Sequence, residues 1–534
     1  MVRKIIAFAG FQGCVDKETE YLSEVGWKKI SEYSGEKIAV YYEDGFIKYE
    51  YPLDYLKYPA TTWYNFKSNY GLSLKLSGEH NVYYITSKNH LHHNKAEYIY
   101  NRIKNNKSHT FSGKLISAVD TGSNCEVLYS DNLIRLIVAI QADGTRVKNS
   151  PKDCRFSINV KKETKKKRIE YLLDACDINY TKTIAKDFNS NAGYCTYRFD
   201  LPEGTKEFPN NWFTLSKRQL AIIAEEAVLW DGRVNSRGNY EYYSNNKKNA
   251  DLIQFAFMVT KGVRTSISID ERYLTNSEHY KTPNYKVYTT FEKRTGISGN
   301  RHVSDGQGTT LSAPGKDEYK YCFTTSTGMW LMRRDNNIVV TGNSGKDYRC
   351  QQLVKQGNYK QLAFADALRD IAFSSLSINK EIGQKYYEDL KAFNCIEVMV
   401  CDREQRTLQQ HIQINFRQFL EYMGTEGIRK YDKDFWARAL VNTINELPED
   451  VNVCVSDLRF HNEYKFLKEY ADSHNCEFEF IFCDYHSDRY EENNRHASAR
   501  LAAFLKEVGY EDGDHIKDED MQHYISALEE LSAV

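Results

Sequence analysis

Two pieces of one glycine-rich loop stand far apart in this chain, and this split constrains the fold more than any other feature. An apolar run, Lys4–Ala9, predicts a buried strand, and Gly10-Phe-Gln-Gly13 follows it like the start of a tight loop. The continuation is missing there, but it is present at Ser344-Gly-Lys-Asp347, which opens a predicted helix with no strand before it. The two ends therefore predict one discontinuous domain with a long insertion.

Joining Gly13 to Ser344 restores the order strand, G-x-x-x-x-G-K, helix. In such a loop, backbone N–H groups surround an anion, the helix N-terminus adds positive potential, and Lys346 reaches the outer phosphates. The next position is normally a Ser or Thr that binds magnesium, but here it is Asp347, which leaves the magnesium ligand open. Two unrelated glycine-rich loops are the alternative. The expected phosphate contacts are Gly10, Gly13, Ser344, Gly345, Lys346 and Asp347.

Composition and charge exclude several classes of protein. A chain of 534 residues predicts roughly three or four domains. The net charge of -1 indicates no charged partner, and the longest apolar run is shorter than the roughly 18 residues of a membrane span. The N-terminus lacks the pattern of a secretory signal, and the twelve cysteines include no C-x-x-C pair. These features predict a protein of the reducing cytosol without a structural zinc site.

The insertion begins and ends with residues that suit self-excision. The thiol of Cys14 can convert the Gly13 amide into a thioester, and the hydroxyl of Ser344 can then take over the acyl group. The side-chain amide of Asn343 can cyclise onto its own carbonyl and cut the chain. An ester-to-amide shift at Ser344 then leaves a normal peptide bond. This chemistry predicts a self-splicing insertion that runs from Cys14 to Asn343.

The sequence near both ends of the insertion resembles the intein family. Residues 14–30 are similar to the first intein block, and residues 76–83 are similar to a block with the pattern T-x-x-H, with Ser in place of Thr. Residues 321–325 and 337–344 are similar to the two final blocks. The resemblance implies an all-β splicing domain, named the Hint fold, that needs no cofactor.

The same resemblance implies roles for single residues. His80, supported by Ser77, would polarise the first scissile amide; a hydrogen-bonded core histidine is the alternative for His80 taken alone. Gly342 stands where the family usually has His, and Cys322 stands where it often has Asp. Cyclisation of Asn343 must therefore find other help, for which Cys322 is a candidate.

An internal repeat lies between the splicing blocks. Leu136–Gly144 resembles the LAGLIDADG motif of homing endonucleases nearly position by position, and Ala224–Gly232 is a weaker second copy. A basic residue, a strand-like stretch, an aromatic-Ser pair and an apolar helical segment follow each copy. The resemblance implies two packed helices that bring Asp143 and Asp231 to one Mg²⁺ site for phosphodiester hydrolysis.

Basic residues are concentrated after the first copy of the motif. Residues 145–168 contain ten Lys or Arg and two acidic residues, a pattern that predicts a surface contacting the phosphates of double-stranded DNA. A solvated charged face is the alternative. The predicted DNA contacts are Arg146, Arg155, Lys161, Lys165, Lys167 and, after the second copy, Arg233.

The segment after the insertion reads as alternating helices and strands. Residues 451–455 predict a strand, and Asp457 lies at its C-terminal end, where open α/β sheets place their sites and where an Asp can hold magnesium through water. This segment resembles the deoxynucleoside monophosphate kinases of tailed phages and their bacterial relatives. The resemblance is carried by the S-G-K-D loop and by residues 364–369, 417–426 and 456–463.

The resemblance covers most of residues 344–534 and implies phosphoryl transfer from ATP, with Mg²⁺, to a deoxynucleoside monophosphate. The resemblance also allows the kinase to be a homodimer. Arg489 and Arg495 would belong to a mobile lid, although residues 496–499 depart from the family's H-x-S-E pattern. A surface salt bridge is the alternative for each arginine taken singly. The implied substrate-site residues are Asp366, Arg369, Arg417, Trp436, Asp457 and Arg459.

We therefore expect a multidomain protein of the bacterial or phage-infected cytosol, with no membrane partner. A P-loop α/β kinase would comprise residues 1–13 and 344–534, and the all-β splicing domain residues 14–113 and 294–343. An α/β LAGLIDADG endonuclease would occupy residues 114–293. One rival hypothesis replaces the kinase by another P-loop phosphotransferase, such as a shikimate- or dephospho-coenzyme A-type kinase. Another makes the chain a non-catalytic DNA-binding protein on a degenerate kinase scaffold.

Overall fold

The computed structural model describes residues 2–9, 13–68, 72–105, 110–148, 154–185, 193–275, 282–298, 308–342, 346–385, 396–401, 408–414, 416–458, 460–482, 501, 504–505, 508–510 and 513–532. Within these ranges the chain is a multidomain protein of mixed sheets and helices. None of the described helices is long and apolar enough to cross a lipid bilayer.

Strand β1 (Lys4–Ala9) precedes the insertion, whose first part folds mainly into strands. The expected all-β composition is wrong in one place, because helix α1 (Ala96–Asn105) forms there. Its residues Ala96, Ile99 and Ile103 recur at helical spacing and are fully buried. The strands are β2 (Glu20–Ser23), β3 (Gly26–Lys29), β4 (Ile38–Tyr41), β5 (Phe46–Glu50), β6 (Asp54–Pro59), β7 (Trp63–Ser68), β8 (Leu72–Ser77), β9 (Asn81–Ile85), β10 (Leu91–Lys95) and β11 (Thr110–Ile116).

The middle part of the insertion contains the predicted internal repeat as two consecutive αββαββ units, preceded by the short strand β12 (Asp120–Thr121). The first unit is α2 (Asp131–Asp143), β13 (Gly144–Arg146), β14 (Arg155–Val160), α3 (Glu163–Ala175), β15 (Tyr180–Ile184) and β16 (Cys195–Asp200). The second is α4 (Lys217–Asp231), β17 (Gly232–Val234), β18 (Tyr240–Ser244), α5 (Lys247–Lys261), β19 (Thr265–Asp270), the short α6 (Arg272–Thr275) and β20 (Asn284–Thr289).

Five strands close the insertion: β21 (Arg294–Ser298), β22 (Gly308–Ser312), β23 (Tyr319–Thr324), β24 (Met329–Arg334) and β25 (Asn337–Gly342). The C-terminal segment then alternates helices and strands, as the sequence predicts. Its elements are α7 (Lys346–Gln356), β26 (Tyr359–Leu362), α8 (Ala365–Ser375), α9 (Lys380–Lys385), β27 (Ile396–Cys401), β28 (Leu408–Ile414), α10 (Phe416–Glu421), a π-helix (Tyr422–Arg429), α11 (Phe435–Asn445), β29 (Asn452–Val455), α12 (His461–Ser473), β30 (Glu477–Phe482) and α13 (Asp518–Ser532).

The two ends of the chain share one parallel sheet, in the strand order β26-β29-β1-β30. Strand β1 lies inside this sheet, where Ile5 pairs with Val453 on one side and with Phe478 on the other. Parallel strands covered on both faces are nearly continuously apolar, and Ile5 and Ala7 are fully buried. Residues before the insertion therefore complete a domain built from residues after it.

Two further contacts fix β1 in this domain. The guanidinium group of Arg3 donates to the carbonyl oxygens of Ile444 and Leu447, each over 2.9 Å, at the end of α11. On the sheet face, Cys350 of α7 packs in one apolar cluster with Ile6 and Phe8. The first helix after the insertion thus covers the strand that precedes the insertion.

The first and last parts of the insertion share a core with its middle part, the repeat region. Strand β19 of the repeat pairs with β25 through Ser266 and Asn337, so that one 15-stranded sheet runs through both regions. The buried Arg333 of β24 binds Glu20 of β2 over 2.7 Å and Asp251 of α5 over 2.5 Å. The predicted boundary between residues 113 and 114 lies within β11, which continues to Ile116 because it pairs with β21.

Candidate functional site

The upstream end of the insertion is held between β8 and β23. Cys14 is completely buried, and its backbone N–H donates to Ser77 Oγ over 2.9 Å. The backbone N–H of Ser77 donates in turn to the Cys14 carbonyl oxygen over 3.0 Å. The next residue, Val15, donates to the carbonyl oxygen of Tyr321 over 2.7 Å. These bonds fix the amide between Gly13 and Cys14, which the sequence predicts to be the first bond to break.

His80 lies where the two ends of the insertion meet. Its Nε2 forms a 2.5 Å hydrogen bond with Thr341 Oγ1, close to the predicted downstream junction. Its Nδ1 is buried and has no hydrogen-bond partner within the described part of the chain. On the upstream side, a Cβ added to Gly13 would lie 2.1 Å from His80 Cα, so only glycine permits this approach. One residue, His80, is therefore adjacent to both ends of the insertion.

Burial keeps the His80 ring uncharged at neutral pH. Burial above all, together with the positive charge of Lys95, lowers the pKa of His80 from 6.5 to about 3. The backbone of Gly13 and the carboxylate of Glu79 oppose this shift. A neutral imidazole donates a hydrogen bond from one nitrogen and accepts one at the other. The ring can therefore act on the Gly13 junction without first losing a proton.

Cys14 and Cys322 pack against each other in a small buried cluster. Burial, above all, raises the pKa of the Cys14 thiol, and the neighbouring Cys322 raises it further. The buried ammonium group of Lys320, which is paired with Glu79, has the opposite effect on Cys14. Cys322 therefore lies at the upstream end. Its help in the cyclisation of Asn343 stays a prediction, because Asn343 lies outside the described residues.

Gly342, which stands in place of the usual histidine, lies in a space that excludes a side chain. It pairs with Asn81 of β9, next to His80. A Cβ at this position would lie 2.0 Å from the carbonyl oxygen of Gly328 and 2.6 Å from Cε2 of Tyr83. The carbonyl belongs to the backbone and cannot rotate away, so glycine is required here for a steric reason.

We expect Gly342→Ala to destabilise the unspliced protein by about 1–3 kcal/mol or more, because the added methyl group meets the Gly328 backbone. The measurement is thermal unfolding of the splicing-blocked chain with and without the substitution. Gly296→Ala is the matched control, because a Cβ at this other strand glycine meets nothing within 4 Å. Equal melting temperatures for the two variants would contradict the steric account.

The stability of the insertion should fall in acid. Burial lowers the pKa values of His80 and His93 from 6.5 to about 3. Between these values the unfolded chain binds more protons than the folded one, so the free energy of unfolding decreases as the pH falls from about 6.5 towards 3. Urea unfolding of the splicing-blocked chain at about pH 7 and pH 5 measures this loss. The loss should be smaller in His93→Gln; an unchanged pH dependence in this variant would exclude His93 as a contributor.

Asp143 and Asp231 end two helices that pack against each other, α2 and α4. Burial and the negative charge of Asp143 raise the pKa of Asp231. Lys165 Nζ lies 2.6 Å from Asp143 Oδ2. Two carboxylates brought together supply oxygen ligands of the kind that a divalent cation such as Mg²⁺ prefers. No group of three or more His, Cys, Asp and Glu side chains suited to a metal occurs in the described ranges.

Lys206, which was not predicted from the sequence, lies beside the two carboxylates. Lys206 Nζ donates to three carbonyl oxygens at the end of α2, those of residues 140–142, over 3.1, 2.5 and 3.0 Å. Burial lowers the pKa of Lys206, and Asp231 and Asp143 oppose this shift. The loop that carries Lys206 is held by Asn249 of α5, whose Nδ2 donates to the Lys206 carbonyl oxygen over 3.0 Å.

The acidic residues within α4 have different environments. Glu226 is buried, and its Oε1 accepts hydrogen bonds from Arg168 Nε over 3.0 Å and from Trp230 Nε1 over 2.8 Å. Arg135 of α2 adds a second positive charge at 3.7 Å. Glu225 is exposed. The buried carboxylate is thus compensated across the helix pair, which explains how an acidic residue fits this interface.

The predicted DNA contacts fall into two groups. Arg146, Lys161 and Lys167 are exposed. They lie on or beside the four-stranded sheet of the first αββαββ unit, β13-β14-β16-β15. Three others have protein partners. Arg155 binds Asp200 and Arg233 binds Glu241, over 2.7 and 2.6 Å, while Lys165 lies at the carboxylate pair. The outer face of the same sheet also carries the polar side chains of Thr145, Ser157, Asn159, Thr181, Thr183, Thr196 and Arg198.

Asp457 follows β29 as predicted, but its carboxylate binds the backbone at the start of α8. Oδ1 accepts from the N–H of Phe364 over 3.0 Å, and Oδ2 accepts from the N–H of Ala365 over 3.3 Å. A carboxylate in this position satisfies free N–H groups at the beginning of a helix. Asp457 therefore has a structural partner, and its predicted magnesium role stays a prediction.

The structure describes some of the other predicted kinase residues and not others. Asp366 and Arg369 contact each other on α8, and Trp436 is buried, with its Nε1 donating to the Gly424 carbonyl oxygen over 3.2 Å. Gly10, Asn343, Ser344, Gly345, Arg459, Arg489 and Arg495 lie outside the described residues, as do the side chains of Lys346, Asp347 and Arg417.

No protein-family model matches the chain, and no curated protein matches it. Among solved structures, the N-terminal LAGLIDADG domain of DUF199/WhiA is similar to 30% of this chain, over 76% of that chain, with 11% identity and a TM-score of 0.23. Variants of the homing endonuclease I-DmoI match 30% of this chain and 89% of their own, with 14% identity and a TM-score of 0.22. Other I-DmoI structures contain its target DNA with manganese or calcium.

A solved split intein, the class 3 AceL NrdHF intein, is similar to 19% of this chain, over 62% of that chain, with 16% identity and a TM-score of 0.16. Similarity at these levels assigns the chain to no family. The residue geometry of the chain itself is therefore the basis for a functional proposal.

Three side chains at these sites were missed by sequence reasoning. Thr341 lies in the final block that resembles inteins, but spacing alone does not connect it to His80. Lys206 lies in a loop, where no periodic pattern predicts its neighbours. Lys320 precedes Cys322 by two residues on β23, and this strand spacing was the one available signal, because alternate residues share a face.

Proposed function

We propose that the chain is a precursor that excises residues 14–343 and joins residues 1–13 to residues 344–534. The observation that carries the proposal is the position of β1. This strand precedes the insertion, yet it lies inside a parallel sheet whose other strands follow the insertion. The ends of the insertion also meet at one buried histidine, His80.

The proposed reaction begins at the amide between Gly13 and Cys14. The Cys14 sulfur forms a bond with the Gly13 carbonyl carbon, the C–N bond breaks, and the thiol proton passes to the released amine. Ser77 holds the amide N–H, and His80 polarises the carbonyl group. The hydroxyl oxygen of Ser344 then forms a bond with the Gly13 carbonyl carbon, the bond from that carbon to the Cys14 sulfur breaks, and the hydroxyl proton passes to the sulfur.

The second half of the reaction releases the insertion. The side-chain nitrogen of Asn343 forms a bond with the Asn343 carbonyl carbon, the peptide bond to Ser344 breaks, and one amide proton passes to the released amine. The freed amine of Ser344 then attacks the ester that joins it to Gly13, which gives a normal peptide bond. All bonds are exchanged within the chain, so the proposed reaction needs no cofactor. Cys322, packed against Cys14, is a further thiol within this centre.

We infer that the joined product is a deoxynucleoside monophosphate kinase that uses ATP. The support is the packing of α7 on β1, which leaves only the glycine-rich loop to be completed by splicing. Lys346 would reach the outer phosphates, and the loop N–H groups would surround them. Asp366, Arg369, Arg417, Trp436 and Arg459 are the proposed monophosphate-site residues. Another P-loop phosphotransferase is the rival, distinguished by its substrate.

A second proposed activity belongs to the insertion, which we infer to be a DNA endonuclease. The observation that favours it is a pair of carboxylates at the ends of two packed helices. Each of the two αββαββ units supplies one helix and one carboxylate. Asp143 and Asp231 would hold Mg²⁺, which supplies charge stabilisation for phosphodiester hydrolysis. The exposed Arg146, Lys161 and Lys167 would contact the phosphates of double-stranded DNA.

Intact-mass measurement of the expressed protein tests the splicing proposal. The expected species are the excised fragment of residues 14–343 and the joined product. Cys14→Ala combined with Asn343→Ala should leave only the full-length chain, because both bond-breaking groups are lost. Excision that persists in this double variant would show that the boundaries lie elsewhere, and an uncleaved wild-type chain would exclude splicing.

A further inference from the structure

Thr341 contributes a buried hydroxyl group to the centre where both ends of the insertion meet. It lies on β25, which pairs with β24 on one side and, through Gly342 and Asn81, with β9 on the other. Thr341 is buried, and its Oγ1 lies 2.5 Å from Nε2 of His80. The hydrogen bond therefore joins the strand that leads to Asn343 with the histidine that adjoins Gly13.

The environment of the ring leaves few ways to hold it. Nε2 has the Thr341 hydroxyl as its partner, and Nδ1 has no hydrogen-bond partner in the described ranges. Gly13 approaches the His80 backbone so closely that a Cβ added to Gly13 would lie 2.8 Å from the backbone nitrogen of His80. A buried polar atom without a partner is costly, so Nδ1 needs a partner, which the Gly13 junction can supply, since the backbone of Gly13 raises the pKa of His80.

We propose that Thr341 is a positioning residue, whose hydroxyl group donates to Nε2 of His80 and thereby keeps the ring proton on Nδ1, facing the Gly13 junction. This inference rests on the proposed splicing function. A neutral imidazole that accepts at one nitrogen must carry its proton on the other. The Nδ1 proton can then polarise the Gly13 carbonyl group as the Cys14 sulfur attacks.

The same bond makes the upstream step depend on the downstream strand. Thr341 can reach His80 only while β25 lies between β24 and β9. A chain whose C-terminal strand has not yet docked therefore lacks the correctly held histidine. Thioester formation at Cys14 would wait for β25, which prevents premature cleavage at Gly13 before Ser344 is in place to receive the acyl group.

The test uses the full chain with Asn343→Ala and Ser344→Ala, which stop the reaction at the thioester. Cleavage after Gly13 by an added small thiol, dithiothreitol, then reports the rate of thioester formation. Thr341→Val keeps the shape but removes the hydroxyl, and we expect a rate at least about tenfold lower, since a positioned acid or base contributes about 10²–10⁴-fold. Thr341→Ser should restore the rate to within about threefold of the parent chain.

A role in packing alone predicts the reverse order, with Thr341→Val close to the parent chain and Thr341→Ser slower; that result would overturn the inference. The pH profile gives a second readout. The cleavage rate of the Thr341→Val chain should change its dependence on pH, because the ring is no longer held in one tautomer; parallel profiles would also overturn it. If the parent chain gives no thiol-dependent cleavage, the proposed splicing itself fails, whatever the Thr341 variants do.

Discussion

The joined product is expected to phosphorylate deoxynucleoside monophosphates with ATP, whereas the precursor blocked by Cys14→Ala and Asn343→Ala is expected to be inactive. Phosphoryl transfer depends on positioning and charge stabilisation. In the precursor, β1 and α7 already pack together, but the loop between them is not continuous. Cys14 is instead held by Ser77, and Gly342 by Asn81. The N–H groups of the loop therefore cannot converge on one phosphate.

The size of this effect depends on how many N–H donors the interrupted loop fails to direct at the phosphate. Removal of a single charge-directed donor from an active site costs about 10²–10³-fold in rate. An interrupted loop misdirects several donors at once, so we expect a larger difference between the two proteins. The measurement compares the turnover of ATP by the purified joined product and by the blocked precursor, with each of the four deoxynucleoside monophosphates.

Two controls distinguish the rival hypotheses. Shikimate and dephospho-coenzyme A serve as alternative acceptors, and preferential turnover of either would assign the joined product to a different P-loop phosphotransferase. Absence of turnover with every acceptor, together with salt-dependent DNA binding by the C-terminal segment, would support a non-catalytic scaffold. Equal turnover by precursor and product would mean that the restored loop is not the active site.

Asp143→Asn is expected to abolish DNA cleavage by the excised insertion. The substitution removes one negative charge from the pair that would hold Mg²⁺, and it leaves Lys165 without its ionic partner. Asp231→Asn should have a similar effect, because one carboxylate comes from each helix. Loss of a ligand that carries the charge stabilisation of the reaction should lower the rate by at least about 10²-fold.

We propose as the target linear duplex DNA that encodes the joined chain, without the insertion, across the Gly13–Ser344 junction, and this DNA is the substrate for the test. Cleavage is followed with Mg²⁺ present and after chelation with EDTA. Asp174→Asn is the matched control, because it makes the same charge change at an exposed position on the neighbouring helix α3. Undiminished cutting by Asp143→Asn would exclude the carboxylate pair as the metal site, and wild-type inactivity on this DNA would exclude the proposed target.

The elements that were predicted from sequence are those with local signals. The strand at residues 4–9 follows from its apolar run, and the repeat follows from two copies of a helical motif with similar flanks. The all-β expectation missed α1, because Ala96, Ile99 and Ile103 form a short helical stripe among many strand-like residues. Partner strands could not be predicted, because pairing of β1 with β29 joins residues from opposite ends of the chain.

Prediction of the functional sites from the sequence has the same limit as prediction of the elements. Cys14, Ser77 and His80 were predicted from the resemblance of short blocks, and they lie together. Thr341 and Lys206 are brought to these sites by tertiary contacts, which spacing in the sequence does not encode. Asp457 was predicted from its place after a strand, but such a place does not tell whether the carboxylate binds a ligand or, as here, backbone N–H groups of α8.

The pairing of β19 with β25, together with Arg333 between Glu20 and Asp251, joins the region proposed to cut DNA to the proposed splicing centre. Loss of cutting by a change at the carboxylates leaves this shared core intact, whereas deletion of the region would expose it to water. Under the proposed functions, an inherited copy of this gene that no longer cuts DNA would therefore still need the folded repeat region to excise the insertion. Selection for the proposed joined product alone would then be sufficient to preserve the fold of the repeat region after loss of the proposed DNA cleavage.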